Sequence, residues 1–145
     1  MNNATLGSLI RKRVEIEGSF LVNGSSDPDG IRDGNTNTIE SVVLTSTGLF
    51  TVTLAEHILA DFIPSQWITE EAWLNPVDAT PVLVCACGVV EGSWDQAART
   101  FQILTTKVAD TGANAYFDPA PENPDDNSRV CFRLVGTANY PDQED

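Results

Sequence analysis

Apolar and hydroxyl side chains alternate through residues 41–54, in the middle of the chain. Ser46, Thr47 and Gly48 interrupt the alternation with residues that favour a tight turn. Because a period of two residues places alternate side chains on opposite faces of a strand, each half of this segment has one face suited to burial. The pattern predicts two short strands that fold back on each other.

A second alternating segment spans residues 14–22. Glu15 and Glu17 fall on one side of it, and Gly18 interrupts the pattern in the middle. This predicts a half-buried strand in which Gly18 is either a bulge or a point of close approach. The side predicted to be buried comprises Val14, Ile16, Phe20 and Val22.

Three later segments also have the character of strands. Residues 100–106 alternate with Phe101 and Ile103 inward. Residues 81–90 are apolar at nearly every position, so this strand is predicted to be covered on both faces, by another sheet or by another copy of the chain. Residues 129–136 are predicted to close the sheet, with one apolar face formed by Val130, Phe132 and Leu134.

The segment between the first two strands, residues 23–38, is dense in Gly, Asn, Asp and Ser and predicts a long, turn-rich connection. Asp27, Asp29 and Asp33 raise the alternative of a calcium site, because a hard cation binds closely spaced carboxylates. An EF-hand loop begun at Asp33 would need Gly and Glu where the chain has Thr38 and Leu44. A solvated hairpin loop is the preferred interpretation.

Two other segments break the strand pattern. Residues 55–76 contain two prolines and predict either a helical turn followed by an irregular strand near 67–69, or a large packed loop. Residues 110–128 carry three prolines among acidic residues and predict an exposed excursion. With at least six strands, no internal repeat and one domain's length, the fold class is all-β. We predict a single antiparallel β-sandwich of jelly-roll or Greek-key type.

The charge is strongly negative and unevenly distributed. The net charge is −13, from 21 acidic and 8 basic residues, which disfavours binding to nucleic acid or to an anionic membrane. Arg11, Lys12 and Arg13 are consecutive and end an amino-terminal arm, residues 1–13, that either orders against a partner or has no role. The sandwich is predicted to span residues 14–138, and residues 139–145 form an acidic tail.

The cysteine content and the hydropathy indicate the compartment in which the protein is made. The chain has three cysteines, and Cys85 and Cys87 stand two apart, where a strand gives them no good geometry for a bridge. This favours a reducing compartment such as a bacterial cytoplasm. The chain has no apolar run of about 18 residues, and residues 1–9 do not resemble a signal peptide. We therefore expect a soluble protein that is not exported.

Candidate chemistry is sparse. His57 is the only histidine, which excludes a zinc site built on several imidazoles. No serine-nucleophile turn or phosphate-binding glycine loop occurs. Cys85, Cys87 and Cys131 are predicted to be core residues. A pair of carboxylates for glycoside cleavage remains an open but less economical interpretation of the many acids. The sequence predicts a non-enzymatic protein without a metal or cofactor, built for assembly or recognition.

The order of segments resembles a known group of proteins. The phrases STGLFTVTL, PVLVCACGVV, ARTFQILTT with KVADTGANAYFDP, and RVCFRLVGTAN are similar to small β-sandwich virion proteins of tailed bacteriophages. This group includes capsid decoration (cement) proteins and trimeric fibre tips. The resemblance covers roughly residues 39–138. It departs from the group at residues 55–76, which are longer and richer in tryptophan.

The resemblance implies a capsid decoration protein that is made in the host cytoplasm and is part of the virion. It would bind the major capsid protein and stabilise the head, as a homotrimer on local three-fold axes. The arm that contacts the capsid would include Leu6, Leu9, Ile10, Arg11, Lys12 and Arg13. The interface between subunits would include Val82, Val84, Cys85, Cys87 and Val89.

The alternative that the resemblance implies is a trimeric tip domain of a head or tail fibre that binds host-surface glycan. Trp67, Trp73 and Trp94 would then act as stacking platforms for sugar rings. Because buried tryptophan is ordinary in β-sandwiches, a role as lids of the core is the preferred interpretation of the tryptophans in residues 55–76.

Overall fold

The described part of the chain is built from strands. The computed structural model describes residues 12–33, 38–55, 63–64, 71–75, 83–110 and 120–138. The strands are β1 (Lys12–Asn23), β2 (Ser26–Asp33), β3 (Ile39–Ser46), β4 (Leu49–Leu54), β5 (Ile63–Pro64), β6 (Glu71–Asn75), β7 (Leu83–Val89), β8 (Thr100–Asp110) and β9 (Arg129–Ala138).

The strands form two antiparallel sheets. Sheet A has the order β2-β1-β9-β5, and β6 pairs with the same edge of β9 as β5. Sheet B has the order β3-β4-β8-β7. The predicted all-β antiparallel sandwich is confirmed, and so is the hairpin of β3 and β4 with its turn at Thr47 and Gly48. The finer assignment to a jelly roll or Greek key stays a prediction.

The core lies between the sheets and is joined by aromatic pairs. The rings of Phe20 in sheet A and Phe50 in sheet B lie 5.1 Å apart, and those of Phe132 and Phe101 lie 5.2 Å apart. These contacts confirm the inward faces predicted for β1, β4, β8 and β9. The buried apolar side chains of this core are Ile16, Phe20, Val22, Ile39, Val42, Phe50, Val52, Leu54, Phe101, Ile103, Val130, Phe132 and Leu134.

Gly18 is a point of close approach. Its pairing with Phe132 continues the regular β1–β9 register, so β1 does not bulge against β9 at this position. A Cβ atom at Gly18 would lie 2.7 Å from Cζ of Phe132 and would also overlap the side chain of Ile39. The absence of a side chain therefore lets the core close over the middle of β1.

The predicted turn-rich connection at residues 23–38 is wrong for most of its length. A two-residue turn at Gly24 and Ser25 leads directly into β2, whose sequence SDPDGIRD contains proline, glycine and three acids. Such residues are tolerated because β2 is an edge strand of sheet A, which pairs with β1 on one side and needs no second row of backbone hydrogen bonds. Pro28 is buried, so part of β2 also packs inward.

The prediction of an exposed excursion at residues 110–128 is only partly right for the described part: Ala120, Pro121, Asp126 and Asn127 are exposed, but the segment also bonds to both sheets. Residues 120–128, which we call the clasp, run from sheet B to sheet A. Lys107 N donates to Ala120 O at 3.0 Å, and Val22 N donates to Ser128 O at 2.9 Å. Pro124 and Ser128 are buried. The clasp therefore ties the two sheets together at one end of the sandwich.

The side chain of Asn123, in the clasp, connects the β1–β2 turn with the β3–β4 turn. Its Oδ1 accepts from Gly48 N at 2.7 Å, and its Nδ2 donates to Gly24 O at 3.3 Å. Asp126 Oδ1 accepts from Gly24 N. Gly48 has a φ of 71°, and a Cβ there would lie 2.7 Å from Glu122 N. Glycine is thus required where the clasp crosses the β3–β4 turn.

Two further predictions, for residues 129–136 and 55–76, concern the other edge of sheet A. β9 does not close the sheet, because it lies between β1 and the edge strands β5 and β6. Within residues 55–76, the described parts are Ala55, β5 and β6. The predicted helical turn and the irregular strand near 67–69 lie outside the described residues.

β1 begins at Lys12, two residues before the sandwich was predicted to start. The register pairs Lys12 with Ala138 and Arg13 with Thr137. The described part of the chain therefore begins and ends on neighbouring strands, at the same end of the sandwich.

Candidate interaction surfaces

The outer side of sheet B carries side chains without charge across all four strands. Inward positions alternate with outward ones because each strand has a period of two. The outward side chains, which we call the uncharged face, are half-buried or exposed. They are Ser41, Val43 and Thr45 on β3, Leu49, Thr51 and Thr53 on β4, Thr100, Gln102, Leu104 and Thr106 on β8, and Ala86 and Gly88 on β7.

Hydroxyl groups on this face bond to one another. Thr45 Oγ1 lies 2.6 Å from Thr51 Oγ1, and Gln102 Nε2 lies 3.5 Å from the same Thr51 oxygen. These bonds run across three strands and hold the polar groups in the plane of the sheet. Glu40, at a bulge in β3, marks one border of the face, where it lies 3.9 Å from Arg99.

The uncharged face has a shallow hollow at the β7 edge. Its volume is about 440 Å³, and its walls include Ala86, Gly88, Val90, Leu104 and Thr106, with Glu91 as the charged residue of its lining. A Cβ placed on Gly88 would find no atom within 4 Å. The hollow exists because β7 turns its smallest side chains outward beside the larger ones of β8.

The outer side of sheet A, which we call the charged face, is different. Glu15 Oε1 accepts from Arg13 Nη2 and from Arg133 Nη2, each at 2.7 Å. Arg133 Nε also lies 3.7 Å from Glu17. The hydrogen bond from Arg133 lowers the pKa of Glu15 most, desolvation opposes it, and the positive charges of Arg133 and Arg13 lower the pKa further.

The residues predicted at a subunit interface lie mainly on the inner side of β7. Cys87 and Val89 pack against the core of their own sandwich. Cys85 lies on the same side and is half-buried. The outward residues Ala86 and Gly88 were not among those predicted. Val84 lies in β7 opposite Ala109, and Val82 lies outside the described residues.

The sequence predicted that β7 is apolar on both faces. The strand instead has one apolar face and one face of small residues. β7 is the edge strand of sheet B. Its outer side chains are not charged, so the sequence reads as a continuous apolar run although the inner and outer sides differ in size and exposure. The small size of Ala86 and Gly88 is the sequence feature that could have identified the outer side of β7.

The predicted glycan-stacking residues are not brought together as a described platform. Trp94 packs against the core, and its Nε1 donates to Gln96 Oε1 at 2.9 Å. The backbone of Trp73 lies in β6 opposite Cys131. Trp67 lies outside the described residues.

Lys12 and Arg13, the end of the predicted capsid-binding arm, lie at the start of an interior strand. β1 lies between β2 and β9 and pairs with β9 from Lys12↔Ala138 to Leu21↔Arg129. The side chain of Arg13 is 57% exposed despite its bond to Glu15. Leu6, Leu9, Ile10 and Arg11 lie outside the described residues.

Two of the three aspartates considered for calcium bind backbone groups between strands. Asp27 Oδ1 accepts from Leu44 N at 3.0 Å, and Asp33 Oδ1 accepts from Ile39 N at 3.1 Å. Both bonds connect β2 to β3, the neighbouring edges of the two sheets. Within the described ranges, no three acidic, thiol or imidazole side chains come together as metal ligands.

The three cysteines are free thiols held in their protonated form. Burial, with nearby carboxylates at Cys85 and the other thiols at Cys87, raises the pKa of Cys85 to about 11 and that of Cys87 to about 12. Burial also raises the pKa of Cys131. At neutral pH these groups are poor nucleophiles. The predicted core role is confirmed for Cys87, which packs on the core cluster.

No helix in the described ranges has the length and hydropathy to cross a bilayer. No protein-family model, curated protein or solved structure matches the chain. Function must therefore be inferred from the residues and their geometry.

Proposed function

We propose that this chain is a non-enzymatic capsid decoration protein of a tailed bacteriophage, which binds the outside of the head through its amino-terminal arm. The observation that carries the proposal is the attachment of that arm to the sandwich. The run Arg11-Lys12-Arg13 leads into β1, an interior strand of sheet A, rather than into an edge strand.

Attachment to an interior strand suits a protein that must hold a load. A strand paired on both sides separates from its sheet only when the domain opens as a whole, whereas an edge strand frays more readily. β1 pairs with β9 from Lys12 to Leu21 on one side, and with β2 from Gly18 to Asn23 on the other. A force on the arm is thus met first by the pairs with β9 and then by the part of β1 that is paired on both sides.

The charges of the arm favour an acidic protein surface as the partner. Arg13 remains 57% exposed, and its exposed ion pair with Glu15 contributes little free energy. It is therefore available to exchange Glu15 for a carboxylate of the capsid. The rest of the chain has a strong negative charge, which disfavours close contact elsewhere with the same surface.

Many weak attachments are sufficient for cementing. A decoration protein that contacts neighbouring capsomers stabilises the shell by mass action, and simultaneous contacts multiply the effect of each.

The test is cosedimentation of the purified protein with DNA-filled heads of the phage that encodes it. Deletion of residues 2–11 leaves β1 and its register intact, and we expect it to abolish head binding. Deletion of residues 139–145 is the matched control, because that segment leaves the sandwich at the same end, and we expect it to bind like the wild type.

A full-length variant with Arg11→Gln, Lys12→Gln and Arg13→Gln separates charge from chain length. We expect it to bind heads weakly at any ionic strength, while binding of the wild type falls as salt rises. Unchanged occupancy of heads by the protein that lacks residues 2–11, with an unchanged urea midpoint, would refute attachment by the arm. Absence of binding by the wild type would refute the function.

A further inference from the structure

We infer that the uncharged face binds a second copy of the same chain, in a two-fold arrangement with the faces stacked on each other. This contact is separate from the arm and does not depend on the capsid. We identify a second copy as the partner of this face from the net charge of the chain, the shape of the face and the positions of its two edge strands.

Charge limits where two copies can meet. Each chain carries a net charge of −13, so two copies repel each other, and any contact that buries ionised groups adds their desolvation. The side chains of the uncharged face carry no charge, so stacking two such faces buries no ionised group of the face itself, and Glu91 at the hollow lies at the border of the contact. Depletion of charged residues is also what distinguishes the centres of protein interfaces from the remaining surface.

The face is self-complementary in shape. Val43 on β3 is 42% exposed and forms an apolar projection at one edge. The hollow beside Ala86, Gly88 and Val90 lies at the other edge, along β7. β3 and β7 are three strand spacings apart in sheet B, which is roughly 14 Å.

A two-fold axis parallel to the strands, midway between β4 and β8, places β3 of each copy over β7 of the other. Val43 pairs with Thr51, Thr51 pairs with Gln102, and Gln102 O accepts from Val90 N at 2.9 Å. Val43 is thus level with Val90, and it meets the hollow of the second copy. The same contact occurs twice, as a two-fold interface requires. The strands of the stacked sheets stay aligned, which is a common way for sheets to pack.

The small contact area between the two faces predicts a dimer that associates weakly. Four strands about 4.8 Å apart and five residues at about 3.3 Å each give a patch of roughly 19 by 17 Å. The two faces together bury less than the roughly 1,200 Å² typical of stable complexes. The dimer should therefore form between roughly 10 μM and 1 mM protein, not at nanomolar concentration.

The first measurement is sedimentation equilibrium of the full chain over that concentration range at low and high salt. We expect the mass to rise from monomer to dimer, and the association to strengthen with salt, because salt screens the repulsion between two like-charged chains. A mass that stays monomeric overturns the inference, and so does a trimer, which the resemblance implies instead. Association that weakens with salt overturns it as well.

A charge exchange tests the pairing of the edges. Val43→Asp alone is expected to weaken association on the order of tenfold or more, because it brings a carboxylate near Glu91 of the second copy. Val90→Lys alone is also expected to weaken it. The double variant should recover association, because each new positive charge then faces a new negative charge across the interface. The two positions are too far apart to pair within one sandwich.

Ser26→Asp, on an exposed residue of β2 outside the face, is the control for added charge and should change association by less than about twofold. Urea unfolding at low micromolar concentration checks that each variant folds. If Val43→Asp weakens association no more than Ser26→Asp does, or if the double variant fails to recover, the proposed arrangement is wrong.

Discussion

The outer faces of the two sheets differ in how their side chains are satisfied. On the charged face, Glu15 is bound by arginines from β1 and β9, and the polar groups find partners within the domain. On the uncharged face, the hydroxyl groups of Thr45 and Thr51 bond to each other and the amide of Gln102 donates to Thr51, while Val43 and the hollow remain open to a partner.

The difference shows why alternation alone does not describe a strand's outer side. Both faces are polar enough to meet water, and both satisfy the simple pattern of an apolar inside and a polar outside. Burying the charged face against a partner would require the removal of water from several ions. Burying the uncharged face would require the loss of weaker hydration only, so it is the better surface for self-association.

The largest effect is expected when the core shared by both faces is damaged. Phe132 is fully buried and contacts Phe101 across the sandwich. We expect Phe132→Ala to lower the free energy of unfolding by about 3–5 kcal/mol, because it leaves a cavity. Urea denaturation measures the loss. Val43→Ala, a truncation on the exposed face, should change stability by less than about 0.5 kcal/mol. A similar loss for both variants would contradict the assignment of inside and outside.

A smaller effect is expected from the clasp, which holds the sheets in their relative position. Asn123→Ala removes the acceptor for Gly48 N and the donor to Gly24 O. We expect a loss of about 1–2 kcal/mol in thermal or urea unfolding, since two partly exposed hydrogen bonds disappear. Asn123→Asp keeps an acceptor for Gly48 N but turns a carboxylate oxygen toward Gly24 O, near Asp126, so we expect it not to restore the stability lost in the alanine variant. An unchanged midpoint for the alanine variant would show that the clasp does not stabilise the sandwich.

The smallest effect is expected on the charged face itself. Arg133 and Arg13 lower the pKa of Glu15 in the folded state, so its ionised form stabilises the fold above the ordinary glutamate pKa of about 4.3. That contribution is lost as the pH falls through the lowered folded-state value. Glu15→Gln should cost a small amount of stability at neutral pH.

The pH dependence is the measurement that distinguishes this effect from a change in packing. The difference in urea midpoint between Glu15→Gln and wild type should shrink as the pH falls below about 4 and should also shrink at high salt. A difference that is the same at neutral and acidic pH would show that the glutamate acts through packing instead.

Several elements were predictable because their signal is local. The alternation in β3 and β4 and the inward residues of β8 and β9 follow from residues read in order, whereas the sequence left Gly18 as either a bulge or a point of close approach. β2 was missed because its composition resembles a loop, and its strand state depends on pairing with β1 at the sheet edge. The clasp was missed because Asn123 and Pro124 obtain their partners from distant turns.

The candidate surfaces divide in the same way. The absence of charge at Thr51, Thr53, Gln102 and Leu104 is visible in the sequence, as is the basic run that ends at Arg13. Their consequences were not visible, because they depend on which strands are neighbours. Cys87 and Val89, predicted at an interface, turned out to face the core, since the side of β7 that packs inward is set by its register with β8.

The sequence by itself determined which side chains of a strand turn inward, because this depends on a two-residue period and on hydrophobic burial. Only the tertiary structure decided that β3, β4, β8 and β7 lie side by side and that β1 is an interior strand. Those choices arise from hydrogen bonds between strands that are far apart in the chain, such as β4 with β8 and β1 with β9. They convert scattered uncharged positions into one continuous face.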